Sequence, residues 1–187
     1  MLRWGIRSVL VIIALLGAYA LLRKAHRMRA PLVAEPWQVE RLQALGQEAI
    51  ASRDVPVAAL LLHGGRLIGS GRNTVLSHGD AAGHAEVNAV SDAIRSMGWQ
   101  RFNALHRDSL LLLTTFEPCA MCRGMLLEHR IGRVAYLHGK SLGHWLREDA
   151  RWLRYELRLR PGAPEDLQER LFMQHPDYPE SRAGQGE

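Results

Sequence analysis

Apolar and polar positions alternate along this chain with two different periods. From Glu35 to Asp54, Val39, Leu42, Leu45, Ala49 and Ile50 recur at helical spacing, which predicts an amphipathic helix. A short apolar run from Val55 to His63 follows and suits a buried strand. His63, Gly64 and Gly65 supply a hairpin turn, and "RLIGSGRN" returns as a second strand. Thr74 to Gly83 reads as a loop. His84 to Met97 reads as a helix with Val87, Val90, Ala93 and Ile94 on one face. Ser109 to Phe116, "SLLLLTTF", is apolar at consecutive positions and predicts a strand buried on both faces. "PCAMCRGMLLEH" opens a second core helix with Pro118 in its first turn, where a missing N–H costs nothing. "RVAYL" predicts a fourth strand, "LREDARWL" a helix, "YELRLR" a fifth strand and "PEDLQERLFMQ" a last helix. Alternation of this kind predicts an α/β fold, a sheet of roughly five strands covered by helices on both faces.

The first thirty residues follow neither period. Ser8 to Leu22 is an uncharged apolar run of 15 residues. As a helix it spans about 22 Å, short of a hydrocarbon layer of about 30 Å. Extending it to Trp4, with Arg7 reaching toward the headgroups, makes residues 4–22 a transmembrane helix. A buried core helix is disfavoured, because no polar face interrupts the run and basic residues flank both ends. A cleaved signal peptide competes, since "AYA" at Ala18–Ala20 fits a cleavage pattern. The basic flank Arg23, Lys24, Arg27 and Arg29 favours an uncleaved anchor with the rest of the chain on the cytoplasmic side. The expected organisation is an anchor over 1–30, a globular domain over 31–175 and a frayed tail over 176–187.

Charge changes meaning once it is divided along this boundary. The net charge is +5, and residues 1–30 carry six basic residues and no acid, so residues 31–187 carry 5 − 6 = −1. A near-neutral body lacks the overall electrostatic footprint of a strong nucleic-acid binder. The arginines of "REDARWLRYELRLR" read as a solvated face.

Both cysteines of the chain, Cys119 and Cys122, lie three positions apart at a predicted helix N-terminus. There they share one face, and the helix dipole favours thiolate. That alone fits a redox pair or half a metal site. The segment "GHAEVNA", Gly83 to Ala89, adds His84 at the start of another helix and Glu86 two residues on. Bringing the two helix starts together gives one imidazole and two thiolates. This is the three-ligand pattern of a catalytic zinc site with one position open, beside which Glu86 serves as a base rather than a ligand.

His84-Ala85-Glu86 followed by Pro118-Cys119-Ala120-Met121-Cys122 matches the H-x-E…P-C-x-x-C signature of zinc deaminases. With "DVPVAALLLHGGRLIGSGRN", "LLLTTFEPCAMCRGML" and "HRIGRVAYL", the chain resembles the cytidine-deaminase-like superfamily over roughly residues 36–137. It is most similar to the branch that holds tRNA adenosine, guanine and cytosine deaminases. The resemblance implies a three-layer α/β/α sandwich around a mixed sheet and one Zn2+ per subunit on His84, Cys119 and Cys122. It implies hydrolytic removal of an exocyclic amine from a nucleobase, nucleoside or nucleotide, with Glu86 moving the protons. It further implies a substrate contact from Asn73 and a homodimer. A tRNA-modifying adenosine deaminase is the alternative reading, and a membrane-anchored, non-catalytic zinc-binding module is the alternative of another class. No organic cofactor is expected, nor a nucleic-acid partner, tRNA remaining open. Two departures stand out: Ala81 replaces the proline found after the aspartate in many relatives, and the segment after Leu137 matches no branch.

Overall fold

The computed structural model describes residues 32–162 and 167–174, with isolated positions in the N-terminal run at 11, 14, 17–19 and 21. The expected anchor and tail therefore lie almost wholly outside the described residues. Among the described residues, no helix is long and apolar enough to cross a membrane.

The chain divides into two units, Met1–Gly139 and Lys140–Glu187. The first opens with α1 (Pro36–Ala51), then β1 (Ala58–His63) and β2 (Arg66–Arg72). Next come a single helical turn, α2 (Val75–His78), then α3 (Ala85–Met97) and α4 (Trp99–Asn103). β3 (Leu110–Phe116), α5 (Ala120–Glu128) and β4 (Arg133–His138) complete it. The loop expected at 74–83 thus contains α2, and α4 was not foreseen. Pro36 sits at the start of α1, and Glu35 and Gln38 satisfy each other's backbone amides there in a capping box. Gly64 and Gly65 have φ of 56° and 81°, the left-handed pair a two-residue hairpin turn demands.

The sheet has four strands in the order β2-β1-β3-β4. β1 pairs antiparallel with both β2 and β3, whereas β4 runs parallel to β3. A parallel partner requires a crossover, and α5 provides it. The expected fifth strand is not one: "YELRLR" begins inside α6 (Leu142–Glu156), and the rest is turn and irregular chain. Leu153, Tyr155 and Leu157 are all more than half exposed, so the alternation there marks no buried strand face.

Strand alternation divides the core. Ala59 and Leu61 of β1 and Leu110 and Leu112 of β3 face α3, meeting Ala85, Ala89, Val90 and Ala93. Ala58, Leu60 and Leu62, with Leu113, face the other way and meet Leu42 and Leu45 of α1. Helices therefore cover both faces, and the doubly buried third strand is as expected. The approach of α3 is close because β2 presents glycines to it. A Cβ on Gly71 would fall against the backbone oxygen of Ala85 and 2.5 Å from the nitrogen of Ala89. Only a residue without a side chain lets β2 and the start of α3 meet there.

The second unit holds α6 and α7 (Leu167–Met173). Within it, Lys140 and Glu148 form a buried ion pair of 2.7 Å, and the Lys140 ammonium lies 5.4 Å from the centre of the Trp145 ring. Trp145 is buried, while Trp152 is exposed.

Candidate functional site

Two helix starts build the site. His84 is the N-cap of α3 and Cys119 the N-cap of α5. Pro118 therefore precedes the cap rather than occupying the first turn, and its ring fixes the approach of β3 to the helix. An N-cap side chain normally accepts a backbone amide of the first turn. His84 makes no such bond. Its Nδ1 instead lies 3.6 Å from Cys119 Sγ and 3.5 Å from Cys122 Sγ, and the two sulfurs are 3.6 Å apart.

Those three separations test the metal directly. A tetrahedral zinc, with Zn–S near 2.3 Å and Zn–N near 2.0 Å, holds two sulfurs about 3.8 Å apart and a sulfur and nitrogen about 3.6 Å apart. The triangle drawn by His84, Cys119 and Cys122 has that size, and the three ligand atoms form the one potential metal cluster among the described residues. The cysteines are free thiols, with Cys122 buried. The Cys122 thiol hydrogen-bonds Cys119 and lowers its pKa to about 5, against the pull of burial; the amides of Cys122 and Met121 and the nearby His84 add to the lowering. Cys122 is pushed up by that same bond, by burial and by the Glu86 carboxylate. One thiolate is thus already favoured, and a cation at the cluster favours the second.

Glu86 follows His84 by two residues, in the first turn of α3, and is 4% exposed. Burial raises its pKa above the usual carboxylate range; its own backbone amide, the Cys122 thiol and His84 oppose that rise. A carboxyl beside a cluster of ligands, out of water and raised in pKa, has the character of a general base.

Asn73 stands at the end of β2 and is also buried. Its Oδ1 accepts the Val75 amide at 3.1 Å, and its own amide donates to the Val57 carbonyl at 2.9 Å. The residue is a structural pin at this turn as well as a candidate contact.

Sequence reasoning gave no part to Asn88, Thr74 or Asp54. Asn88 Nδ2 donates to the Arg72 carbonyl at 2.8 Å and to Thr74 Oγ1 at 2.9 Å, tying α3 to the end of β2. Asp54 Oδ1 accepts the amides of Leu76 and Ser77 at 2.8 and 3.0 Å. The signal for Asn88 lay inside "GHAEVNA", but a polar residue on a helix face names no partner.

Comparisons with known proteins agree with this geometry. The zinc-binding region of cytidine and deoxycytidylate deaminases matches residues 36–138. A tRNA(Ile)-lysidine synthase from Deinococcus deserti is 41% identical over 93 residues, covering 49% of this chain and 16% of the relative. A tRNA-specific adenosine deaminase 2 from Xenopus laevis is 32% identical over 104 residues, covering 54% of this chain and 57% of the relative. The chain therefore spans less than two thirds of the length of these relatives. Guanine deaminase from Bacillus subtilis has the same fold, with a TM-score of 0.57 at 24% identity, over 78% of this chain and 99% of that structure.

Proposed function

This chain belongs to the cytidine and deoxycytidylate deaminase family, and from that premise we propose that it removes an exocyclic amine from a small nucleobase, nucleoside or nucleotide by hydrolysis. The observation that carries the reading is the burial of Glu86 beside three ligand atoms that lie at zinc spacing. His84, Cys119 and Cys122 would hold zinc, which would supply a Lewis acid that lowers the pKa of water toward neutrality. Glu86 would take a proton from the attacking water, and its raised pKa suits it to hold that proton. It then delivers the proton to the ring nitrogen and assists the departing amine, so that water and the amine exchange for a carbonyl and ammonia. Asn73, fixed at the end of β2 by its bonds to Val57 and Val75, orients the base.

Small substrates are favoured by the net charge of −1 over residues 31–187, because affinity for nucleic acid rests largely on neutralising phosphates. The tRNA-specific relative supports a second reading, adenosine deamination in tRNA. The test gives the full chain adenine, guanine and cytosine as free bases, nucleosides and 5′-nucleotides, following ammonia, and bulk tRNA, following inosine. Ammonia from a small molecule supports the first reading. Inosine in tRNA without small-molecule turnover promotes the second. Zinc without either product leaves a binding module.

Residues 4–22 serve in this proposal as a membrane anchor with the site on the cytoplasmic side, supported by the uncharged run and its basic flank. Family resemblance supports a homodimer.

A further inference from the structure

We propose that Asp54 and Arg72 are positioning residues that hold Asn73 in its orientation toward the substrate, an inference that rests on the substrate role of Asn73 given above. Neither touches the metal cluster. They form a clamp behind the turn that follows β2.

The Asp54 carboxylate is buried and uses both oxygens. One accepts the amides of Leu76 and Ser77. The other accepts the Ser52 hydroxyl at 2.8 Å and lies 3.3 Å from Arg72 Nη1. The same Arg72 nitrogen donates to the carbonyl of Asn73 at 3.0 Å. Asn73 is thus enclosed on three sides. Arg72 holds its carbonyl, the Val57 carbonyl holds its amide, and the Val75 amide holds its side-chain oxygen. That last bond occupies Oδ1 from the protein side, which sets the amide orientation and turns Nδ2 into the donor left for a ligand. A ring oxygen or nitrogen acceptor is the chemistry that such a donor recognises.

The clamp also has a reason to be charged. A neutral side chain accepts two backbone amides less strongly than a carboxylate does. The Asp54 carboxyl is pulled well below its usual range: burial pushes it up, but bonds from Ser77, Ser52 and Leu76 outweigh burial. Arg72, which also lies 3.7 Å from Glu48, joins the last turn of α1 to the turn carrying Asn73. On the opposite side Asn88 of α3 grips the Arg72 carbonyl. The Asn73 turn is therefore held between the layer that carries the metal ligand His84 and the layer that does not.

The test is a double-mutant cycle in the full chain, with the ammonia-releasing member of the panel above as substrate. Asp54→Asn and Arg72→Gln are each expected to raise KM about tenfold while kcat stays within about twofold. Zinc content stays at the wild-type level. In an Asn73→Ala background either change adds almost nothing, because the residue they position is gone. Hydrogen exchange at residues 73–77 rises in both variants, and Asp54→Glu raises KM less than Asp54→Asn does. If Asn73→Ala leaves KM unchanged, the substrate role of Asn73 fails, and the inference with it. If Asn73→Ala raises KM but Arg72→Gln does not, or if the effects multiply in the double variant, the positioning role alone is overturned. Arg72→Gln keeps the Asp54 carboxylate on its two amides, so it decides the matter even if Asp54→Asn does not fold.

Discussion

Cys122 Sγ lies 3.5 Å from His84 Nδ1, although 38 residues separate them in sequence. The contact joins the starts of two helices, α3 and α5, that pack on the same face of the sheet. Everything chemical in the chain depends on that convergence.

Its first consequence is metal content. The chain is expected to bind about one zinc. His84→Ala and Cys119→Ser each lose most of it, because removing one of three ligands leaves an open, two-ligand site. Elemental analysis of the purified variants checks this, and full retention in both would refute the ligand set.

Glu86→Gln keeps the shape of the side chain and removes the base. Zinc content and thermal stability should stay near wild type, while kcat falls by about 10²- to 10⁴-fold. Single-turnover ammonia release measures it, and activity close to wild type would move proton transfer to another group.

Asp54 contributes a pH dependence to the stability. Its folded pKa is depressed, so its contribution is complete above the unfolded value of about 3.9 and is lost as pH falls through the folded value. Asp54→Asn is therefore expected to lower Tm at pH 7, with the gap to wild type narrowing below about pH 4. A gap that stays constant across that range would mean that the charge of the carboxylate plays no part in the clamp.

Gly71→Ala tests the seam between β2 and α3. The new Cβ meets backbone atoms of Ala85, Asn88 and Ala89, which cannot rotate away as a side chain would. A loss of about 1–3 kcal/mol is expected from overpacking. Because α3 starts at His84, displacement of this helix should also weaken zinc binding. Denaturant titration and metal competition read the two effects, and unchanged stability would show that the layers separate freely.

The anchor is tested by fractionation. The full chain should remain with membranes through a carbonate wash, and removal of residues 1–30 should release it. Protease added to intact cells should not reach the remainder of the chain. Processing after Ala20 with export would instead establish the signal peptide.

Sequence alone determined the parts of this protein that depend on local chemistry and on period. Consecutive leucines at 110–113 marked a strand with two buried faces, because such a segment cannot offer a polar side to water. The residues His84, Glu86, Cys119 and Cys122 declared a metal site, because each stands at the start of a helix in a signature that few other chemistries need. The tertiary structure decided what local pattern leaves open. "YELRLR" alternates like a strand, yet its first residues continue α6 and its leucine and tyrosine side chains stay exposed. Alternation predicts a strand only where a sheet edge is there to receive it. Asp54 had no part in the sequence reading, because its partners Arg72, Leu76 and Ser77 come eighteen or more residues later. Hydrogen bonds of that range are fixed by the packing of layers, and no spacing in the chain encodes them.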